Sequence, residues 1–257
     1  MTAPQLFNLT GKTALITGSS GGLGLAIARG LAEAGAAIIL NGRNSSKLEQ
    51  AAKTLSEGRH SVSISVFDVA DDLAVRAAFD RFDANGTAID ILFNNAGVQL
   101  RKPMIDLTSE EWRAVIETNL TGAFQVGREA ARRMIARGRG GKIVNIGSLT
   151  SEVARATVAP YTAAKGGIKM LTRSMAVEWA IHNIQANAIG PGYIVTEMNK
   201  ALVEDTKFDA WVRGRTPSGR WGTPDDLIGT AVFLASDASA YVNGQILFVD
   251  GGMLAVL

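Results

Sequence analysis

The sequence predicts an α/β fold in which a doubly wound parallel sheet of about seven strands carries helices on both faces. Short apolar runs of strand length alternate along the chain with longer segments of helical periodicity. The chain has 257 residues, of which 47% are hydrophobic and 19% are charged, so it can build one domain with a large core. Because we find no internal repeat, low-complexity tract or linker, a single domain over residues 1–257 is the simplest interpretation.

Composition argues against several kinds of partner. A net charge of +2 is too small an imbalance to indicate nucleic acid. The absence of cysteine excludes disulfides and thiolate metal sites, and it allows a reducing compartment. We see neither a signal peptide at the N-terminus nor a membrane span. We therefore expect a cytoplasmic protein with no nucleic-acid, membrane or metal partner.

The first strand, residues 12–17, leads into a glycine-rich turn, and residues 25–31 follow with helical spacing of apolar side chains. Strand, glycine-rich turn and helix in this order predict the phosphate cradle of a Rossmann-like dinucleotide fold. Glycines let the backbone approach a pyrophosphate, and the helix N-terminus offers free N–H groups. A glycine-rich turn without a ligand is the alternative. The cradle residues are Gly18, Ser20, Gly22, Leu23 and Gly24.

The second strand, residues 36–40, ends in Asn41, Gly42 and Arg43. In a dinucleotide fold this strand end meets the adenosine ribose, where a carboxylate bonds the 2′-hydroxyl and an arginine accommodates a 2′-phosphate. No acid stands here, and the guanidinium of Arg43 suits a phosphate. The sequence therefore predicts NADP(H) rather than NAD, with an added hydroxyl contact from Ser20. The alternative is an Arg43 that caps a turn and faces solvent.

The next elements complete the first half of the sheet. We expect a helix at about 45–57, a strand at about 61–67, a helix at about 71–84 and a strand at 89–93. Asp68 follows the third strand, where it can accept a hydrogen bond from the adenine amino group or cap a helix. The fourth strand closes in Asn94, Asn95, Ala96 and Gly97, whose small side chains allow a cofactor to pass close to the backbone.

The second half of the chain continues the alternation. A long helical region at 109–137 contains Asn119 and Gly122, which favour a local kink. The fifth strand, 142–146, ends beside Ser148, at the edge where open α/β sheets bind ligands. A strand at 184–189, a turn at 190–193, a helix at 223–236 and a strand at 245–249 follow. We assign a cofactor half to about 1–150 and a catalytic and substrate half to about 148–257. Residues 196–214 indicate a mobile cover, which we extend to about 193–222.

Between the fifth and sixth strands, Tyr161 and Lys165 stand four residues apart behind Pro160, which suits the first turn of a helix. This spacing places phenol and ammonium on one helix face. A nearby cation lowers the pKa of a phenol, so that it can exchange a proton with a carbonyl or an alcohol. The alternative is a surface helix on which the two side chains have no function.

These motifs, in this order and spacing, resemble the short-chain dehydrogenase/reductase family over nearly the whole chain. The resemblance implies that Tyr161 is the acid/base and that Lys165 lowers its pKa while bonding the nicotinamide ribose. It also implies that Ser148 holds the substrate oxygen, that Asn119 supports a water linked to Lys165, and that the protein is a homotetramer. The matching residues are Thr17, Gly18, Gly22, Gly24, Asn94 to Gly97, Asn119, Ser148, Tyr161, Lys165, Pro191, Gly192 and Asn243 to Gln245. The full set of expected cofactor contacts is Gly18, Ser20, Gly22, Leu23, Gly24, Asn41, Arg43, Asp68, Val69, Asn95, Ala96, Gly97, Tyr161, Lys165, Pro191, Gly192, Ile194 and Thr196.

A narrower resemblance is to the gluconate 5-dehydrogenase branch of that family, which interconverts gluconate and 5-ketogluconate, often with NADP. That branch has two arginines directly after the glutamine, whereas this chain has Leu100 and then Arg101. The segments that carry the resemblance are 6–9, 41–44, 98–99, 151–152, Arg155, 215–222 and 248–254.

The polar residues of these segments suit a sugar acid. Arg101 or Arg155 can pair the carboxylate, and Glu152 or Gln99 can bond hydroxyls. The alternative for each is a surface or loop-stabilising role. The predicted substrate contacts are Gln99, Arg101, Ser148, Glu152, Arg155, Tyr161 and Tyr193.

Other functions share these residues. A reductase of acyl thioesters, of keto-deoxy sugar acids or of steroids would have the same fold and catalytic set. A non-catalytic NADP-binding protein is the alternative from another class.

Overall fold

The computed structural model describes residues 2–58 and 60–256. Its strands form one seven-stranded sheet in the order β3-β2-β1-β4-β5-β6-β7, and every neighbouring pair is parallel. The predicted doubly wound parallel sheet is thereby confirmed. The strands are β1 Thr13–Ile16, β2 Ala37–Gly42, β3 Val62–Val66, β4 Ile91–Asn94, β5 Gly141–Ile146, β6 Ile184–Pro191 and β7 Ile246–Val249.

Helices cover both faces of the sheet and bury two apolar cores. One core joins the sheet to α2, α3 and α10, and the other joins it to α4, α6 and α7. Parallel sheets need such double coverage because their strands are apolar on both sides. The helices are α1 Ala3–Leu6, α2 Gly22–Glu33, α3 Ser45–Ser56, α4 Asp72–Ala84, α5 Ser109–Ile116, α6 Gly122–Arg137, α7 Ala159–Trp179, α8 Lys200–Glu204, α9 Thr206–Arg215 and α10 Ile228–Ala235.

The strand order reverses at β1, which pairs with β2 on one side and β4 on the other. The connections leave this point in opposite directions, so a crevice opens beyond the carboxyl ends of β1 and β4. Ligands of open α/β sheets bind at such a switch point.

The predicted kink in the long helical region is a π-helical turn, Glu117–Thr121, between α5 and α6. Asn119 lies in this turn and is buried. Its Oδ1 accepts a hydrogen bond from Val98 N at 2.7 Å, and its Nδ2 donates to Val98 O at 2.8 Å. The turn therefore joins the helix to the loop that follows β4.

The predicted turn at 190–193 is wrong in its first half, because Gly190 and Pro191 continue β6 and pair with Phe248 and Val249. A Cβ atom at Gly190 would lie 2.5 Å from the Phe248 ring, so glycine permits this pairing. Proline is tolerated at the strand end, where its missing N–H breaks only one ladder position.

The predicted cover is a packed helical segment that includes α8 and α9. An aromatic cluster holds it together, with ring centroids 5.3–6.3 Å apart. The cluster consists of Tyr193, Phe208, Trp211 and Trp221. Mobility of the cover remains a prediction.

None of the helices in residues 2–58 and 60–256 combines the length and the apolar character that crossing a bilayer requires.

Lys142 is a buried cation at the end of the sheet opposite the crevice. Its Nζ lies 3.4 Å from Ser239 Oγ. Burial lowers the pKa of Lys142 to about 8, and Asp237 offsets this only in part, while Lys12 adds to it. The folded protein therefore carries a poorly solvated charge at neutral pH.

We expect Lys142→Met to raise the free energy of unfolding at pH 7 by on the order of 1–2 kcal/mol, because it removes this charge. The gain should shrink as the pH rises from about 8 towards 10.5, since native Lys142 then loses its proton while the unfolded chain keeps it. Thermal unfolding at pH 7 and at about pH 9.5 measures both effects, and Lys53→Met is the exposed control. A destabilised variant, or a gain that does not depend on pH, would contradict the prediction.

Candidate active site

A cleft of about 380 Å³ lies beyond the carboxyl ends of the central strands. Its walls are the glycine-rich turn, the ends of β4, β5 and β6, one face of α7 and the segment after β6. The lining residues are Gly18, Ser20, Gly21, Gly22, Leu23, Lys47, Asn95, Gly97, Ile146, Gly147, Ser148, Tyr161, Lys165, Pro191, Gly192, Ile194, Thr196, Glu197, Met198 and Asn199.

The glycine-rich turn is tight on its protein side and open on its cleft side. Gly18 has φ +62°, and a Cβ atom there would lie 2.7 Å from Ala96 Cα. A Cβ atom at Gly24 would lie 2.5 Å from Asn95 Nδ2, whereas at Gly21 and Gly22 it would meet open space. The turn thus exposes backbone at the N-terminus of α2. These residues fit the pyrophosphate of a dinucleotide.

Asn95 ties the end of β4 to this turn. Its Nδ2 donates to Thr17 O and to Gly18 O, each at 2.9 Å. Thr17 Oγ1 in turn accepts the backbone N–H groups of Asn95 and Ala96 at 3.0 Å. Of the three predicted contacts from this loop, Asn95 and Gly97 line the cleft, and Ala96 packs behind Gly18.

The predicted cofactor residue Asn41 does not line the cleft, and its side chain is buried inside the sheet, so its contact with the cofactor stays a prediction. Its Nδ2 donates to Ser65 O at 3.0 Å and to Phe67 O at 3.1 Å. Its backbone exchanges hydrogen bonds with Ser19, whose N donates to Asn41 O and whose Oγ accepts from Asn41 N. Asn41 therefore positions the glycine-rich turn.

Arg43 lies outside the cleft wall in a largely exposed ion pair, with its Nη1 3.5 Å from Asp68 Oδ2. Asp68 and the buried Val69 are also absent from the wall. Besides Lys165, the wall carries a second cation, Lys47, which sequence reasoning missed. Lys47 stands in the first turn of α3, where Asn44 Oδ1 accepts its backbone N–H at 3.0 Å. The sequence feature that could have indicated Lys47 was its place four residues after Arg43, in the first turn of the helix that follows.

Tyr161, Lys165 and Ser148 line the cleft together. Pro160 lies in the first turn of α7, as predicted, so Tyr161 and Lys165 stand one turn apart on the helix face beside the cleft. Ser148 follows β5. The Lys165 Nζ donates to Ile146 O at 2.6 Å and lies 5.5 Å from the centroid of the Tyr161 ring.

The effect of Lys165 on the pKa of Tyr161 stays a prediction, because the charged and polar groups that act on this phenol in the structure are Ser148 and Arg101. Burial raises the pKa of Tyr161, and the opposing effects of Ser148 and Arg101 do not reverse this. The Lys165 ammonium is directed to Ile146 O, and burial lowers its own pKa to about 8. At neutral pH the site therefore holds a neutral phenol beside a cation.

Asn119 lies next to these residues but bonds elsewhere. Both of its polar side-chain atoms are joined to Val98, and its Oδ1 lies 3.4 Å from the position of a Cβ atom at Gly97. Asn119 thereby fixes the loop along the cleft. A water relay from Asn119 to Lys165 remains a prediction.

A second pocket adjoins the hydroxyls of Tyr161 and Ser148 under the cover. It brings together the predicted substrate residues Gln99, Arg101, Arg155 and Tyr193. Leu149, Thr150, Val158, Gly192, Met198, Asn199 and Leu202 complete the wall; of these, sequence reasoning had assigned only Gly192, and to the cofactor.

Glu152 is the predicted substrate residue that the structure places outside this pocket, and its contact with a substrate stays a prediction. Its carboxylate forms an ion pair with Lys169 Nζ at 2.6 Å, and it does not line the pocket. Lys169 lies one turn beyond Lys165 on α7. The helix that carries the catalytic residues therefore also holds the Glu152 carboxylate outside the pocket.

Comparison with known proteins identifies the fold and site. A family model described as enoyl-(acyl carrier protein) reductase matches residues 18–254. Together with the sheet order and the cleft, this match shows that the chain belongs to the short-chain dehydrogenase/reductase family and is an oxidoreductase acting on CH–OH groups.

Individual relatives match the chain end to end. Gluconate 5-dehydrogenase of Gluconobacter oxydans is 48% identical over 257 residues and covers 100% of both chains. The 5-keto-D-gluconate 5-reductase of Escherichia coli is 48% identical over 253 residues, 98% of this chain and 99% of that one. A 2-dehydro-3-deoxy-D-gluconate 5-dehydrogenase of Formosa agariphila is 44% identical, with coverage of 98% and 96%.

Solved structures agree in fold over the same length. A gluconate 5-dehydrogenase of Burkholderia cenocepacia in complex with NADP and tartrate is 52% identical, with a TM-score of 0.97 and full coverage of both chains. A crystal structure from Agrobacterium tumefaciens is 61% identical, with a TM-score of 0.97 and coverage of 98% and 99%.

Proposed function

We propose that this protein is an NADP-dependent oxidoreductase that interconverts gluconate and 5-ketogluconate. The observation that carries the proposal is a pocket with two arginines that opens directly onto the hydroxyls of Tyr161 and Ser148. This pocket adjoins a cleft whose glycine turn fits a dinucleotide. The end-to-end relatives with this activity, and the NADP in the B. cenocepacia complex, support the same substrate and cofactor.

The chain's own residues supply the proton and the orientation. When bound, NADPH supplies the hydride that reduces a ketone carbon, and NADP⁺ accepts it in the reverse direction. The hydroxyls of Ser148 and Tyr161 hold the substrate oxygen, and Tyr161 donates a proton to that oxygen as the alcohol forms. The raised pKa of Tyr161 keeps its proton in place at neutral pH, which suits the reductive direction. In the oxidative direction the same oxygen returns the proton to Tyr161.

The dinucleotide is held by the cleft residues. The turn from Gly18 to Gly24 would receive the pyrophosphate, and Lys165 would bond the nicotinamide ribose. Pro191, Gly192, Ile194 and Thr196 form the wall opposite the turn. At the adenosine end the cations are Lys47 on the wall and Arg43, whose exposed pair with Asp68 is weak enough to yield to a phosphate.

A second candidate substrate is a keto-deoxy sugar acid. The F. agariphila relative acts as a 2-dehydro-3-deoxy-D-gluconate 5-dehydrogenase, and the same cationic pocket suits that anion. A purely cofactor-binding role is disfavoured because the side chains suited to a proton transfer line one cleft. Following NADPH absorbance with 5-ketogluconate, a keto-deoxy sugar acid and an acyl thioester separates these functions.

We also propose that residues 193–222 move as a cover over the substrate half, about 148–257, while about 1–150 hold the cofactor. We place the protein in the cytoplasm as a homotetramer. Its exposed apolar side chains support assembly, since Met170 and Val177 lie two helical turns apart on one face of α7 and are 55% and 82% exposed.

We expect Tyr161→Phe to bind NADPH nearly normally and to lose about 10²–10⁴-fold in kcat, because only the proton donor is removed. Cofactor fluorescence titration and steady-state reduction of 5-ketogluconate measure the two effects. Retention of more than about half of the wild-type kcat would exclude Tyr161 as the proton donor.

We expect the wild type to prefer NADP over NAD by at least about tenfold in kcat/KM, because a charge-assisted hydrogen bond to the 2′-phosphate is worth about 1.5–3 kcal/mol. Arg43→Ala should remove this preference with NAD use little changed, and Lys47→Met should reduce it. Lys53→Met, on the same helix as Lys47, is the control. Equal or better use of NAD by the wild type would refute the assignment of NADP.

Light scattering at micromolar concentration should give about four times the 27.1 kDa chain mass. Val177→Glu places a charge in the exposed face of α7 and should lower the measured mass. Ile105→Glu makes the same change at a 94% exposed position away from α7 and should not. A wild-type monomer would contradict the assembly.

A further inference from the structure

The substrate pocket contains two guanidinium groups and no carboxylate. Arg101 and Arg155 both line it, and none of the lining residues in the described part of the chain is Asp or Glu. Glu152, three residues before Arg155, is held by Lys169 at 2.6 Å, and the exposed Glu197 lines the adjoining cleft rather than this pocket. The pocket therefore carries an excess of two positive charges beside the reacting hydroxyls.

The partners of Arg101 leave its charge in place. Its Nη2 donates to Gln99 Oε1 at 2.9 Å, to Asn199 Oδ1 at 3.2 Å and to Met198 O at 3.4 Å. All three acceptors are uncharged. Within residues 2–58 and 60–256, Arg101 forms no ion pair, so its full charge faces the pocket.

Arg155 is held in a different way with the same result. Its Nη1 lies 3.3 Å from Tyr193 Oη, and its guanidinium stands 4.9 Å from the centroid of the Phe208 ring. A phenol and an aromatic face orient a guanidinium without neutralising it. By contrast, Arg213 and Arg220 nearby are both paired with aspartates at 2.8 Å.

The two guanidinium groups line the same pocket and are held by different neighbours. Arg155, together with burial, lowers the pKa of Arg101. Arg101 is held by Gln99 and by the segment after β6, whereas Arg155 is fixed against the aromatic cluster of the cover. A ligand with one carboxylate neutralises one of these charges and leaves the other facing a hydroxyl.

We infer that the pocket is built for hydroxy dicarboxylates as well as for sugar acids, with one carboxylate on Arg101 and the other on Arg155. This rests on the proposed function, because it takes that pocket as the substrate site. The ligand class is an open-chain polyhydroxy dicarboxylic acid. It binds in competition with the monocarboxylic sugar acid, and its middle hydroxyls face Gln99 and Ser148.

Glucarate and gluconate test this inference, because they differ only in a carboxylate or a hydroxymethyl group at the sixth carbon. Calorimetric titration of the NADP-saturated protein with each acid should show glucarate binding at least about tenfold more tightly. Because both charges lie in partly exposed surroundings, this advantage should shrink at high salt. Glucarate should also inhibit the reduction of 5-ketogluconate competitively.

Single variants show whether both cations take part. Arg101→Gln and Arg155→Gln should each reduce the advantage of glucarate to about twofold or less, since each leaves one carboxylate unpaired. Arg155→Lys keeps the charge and should retain part of the advantage. Arg213→Gln, on the cover but outside the pocket, should retain all of it. Retained binding of NADP by each variant shows that the fold is intact.

The outcomes separate this inference from the proposed function. Equal or weaker binding of glucarate, in a protein that turns over gluconate, would overturn the dicarboxylate site and leave the function standing. Loss of the advantage in only one of the two glutamine variants would likewise overturn the two-cation site. Tighter binding of glucarate without turnover of gluconate would support the site and refute the proposed function.

Discussion

The close approach of two backbones at the switch point underlies the rest of the site. Gly18 comes so near Ala96 that a Cβ atom would lie 2.7 Å from its Cα, and Asn95 bonds the carbonyls of Thr17 and Gly18. These contacts hold the carboxyl ends of β1 and β4 together above the sheet. These contacts fix the glycine turn on the side that faces the protein. Its other side can therefore present backbone to a ligand in the cleft, with no side chain in between.

The catalytic side chains depend on the same edge of the sheet for a different reason. β5 ends at Ile146, and Ser148 follows two residues later. The Ile146 carbonyl accepts a hydrogen bond from the Lys165 ammonium at 2.6 Å. A buried ammonium needs such an acceptor, since burial disfavours its charged form. The strand therefore determines the position of the Lys165 ammonium. This hydrogen bond in turn fixes the position of α7 beside the cleft, with Tyr161 one turn before Lys165.

Much of the fold was predictable because it rests on local patterns. Short apolar runs mark strands that are covered on both faces, and Pro160 and the glycine turn mark helix starts, so every strand was located within a few residues. The features that local patterns did not reveal depend on contacts between distant segments. The burial of Asn41 requires β3 as a neighbour, the pairing of Glu152 requires Lys169 one turn beyond Lys165, and the extension of β6 through Pro191 requires Phe248 beside Gly190. Burial raises the pKa of Tyr161, and spacing along a helix does not reveal burial.

The aromatic cluster of the cover gives the protein an optical property of its own. The sequence has four tryptophans, and two of them, Trp211 and Trp221, lie within 6 Å of the ring of Tyr193, which itself lines the substrate pocket. The Arg155 guanidinium lies over the Phe208 ring in the same cluster. We therefore expect an anionic ligand that binds Arg155 to alter the surroundings of both indoles. Intrinsic fluorescence therefore reports on the mouth of the pocket from inside the molecule, without an added label.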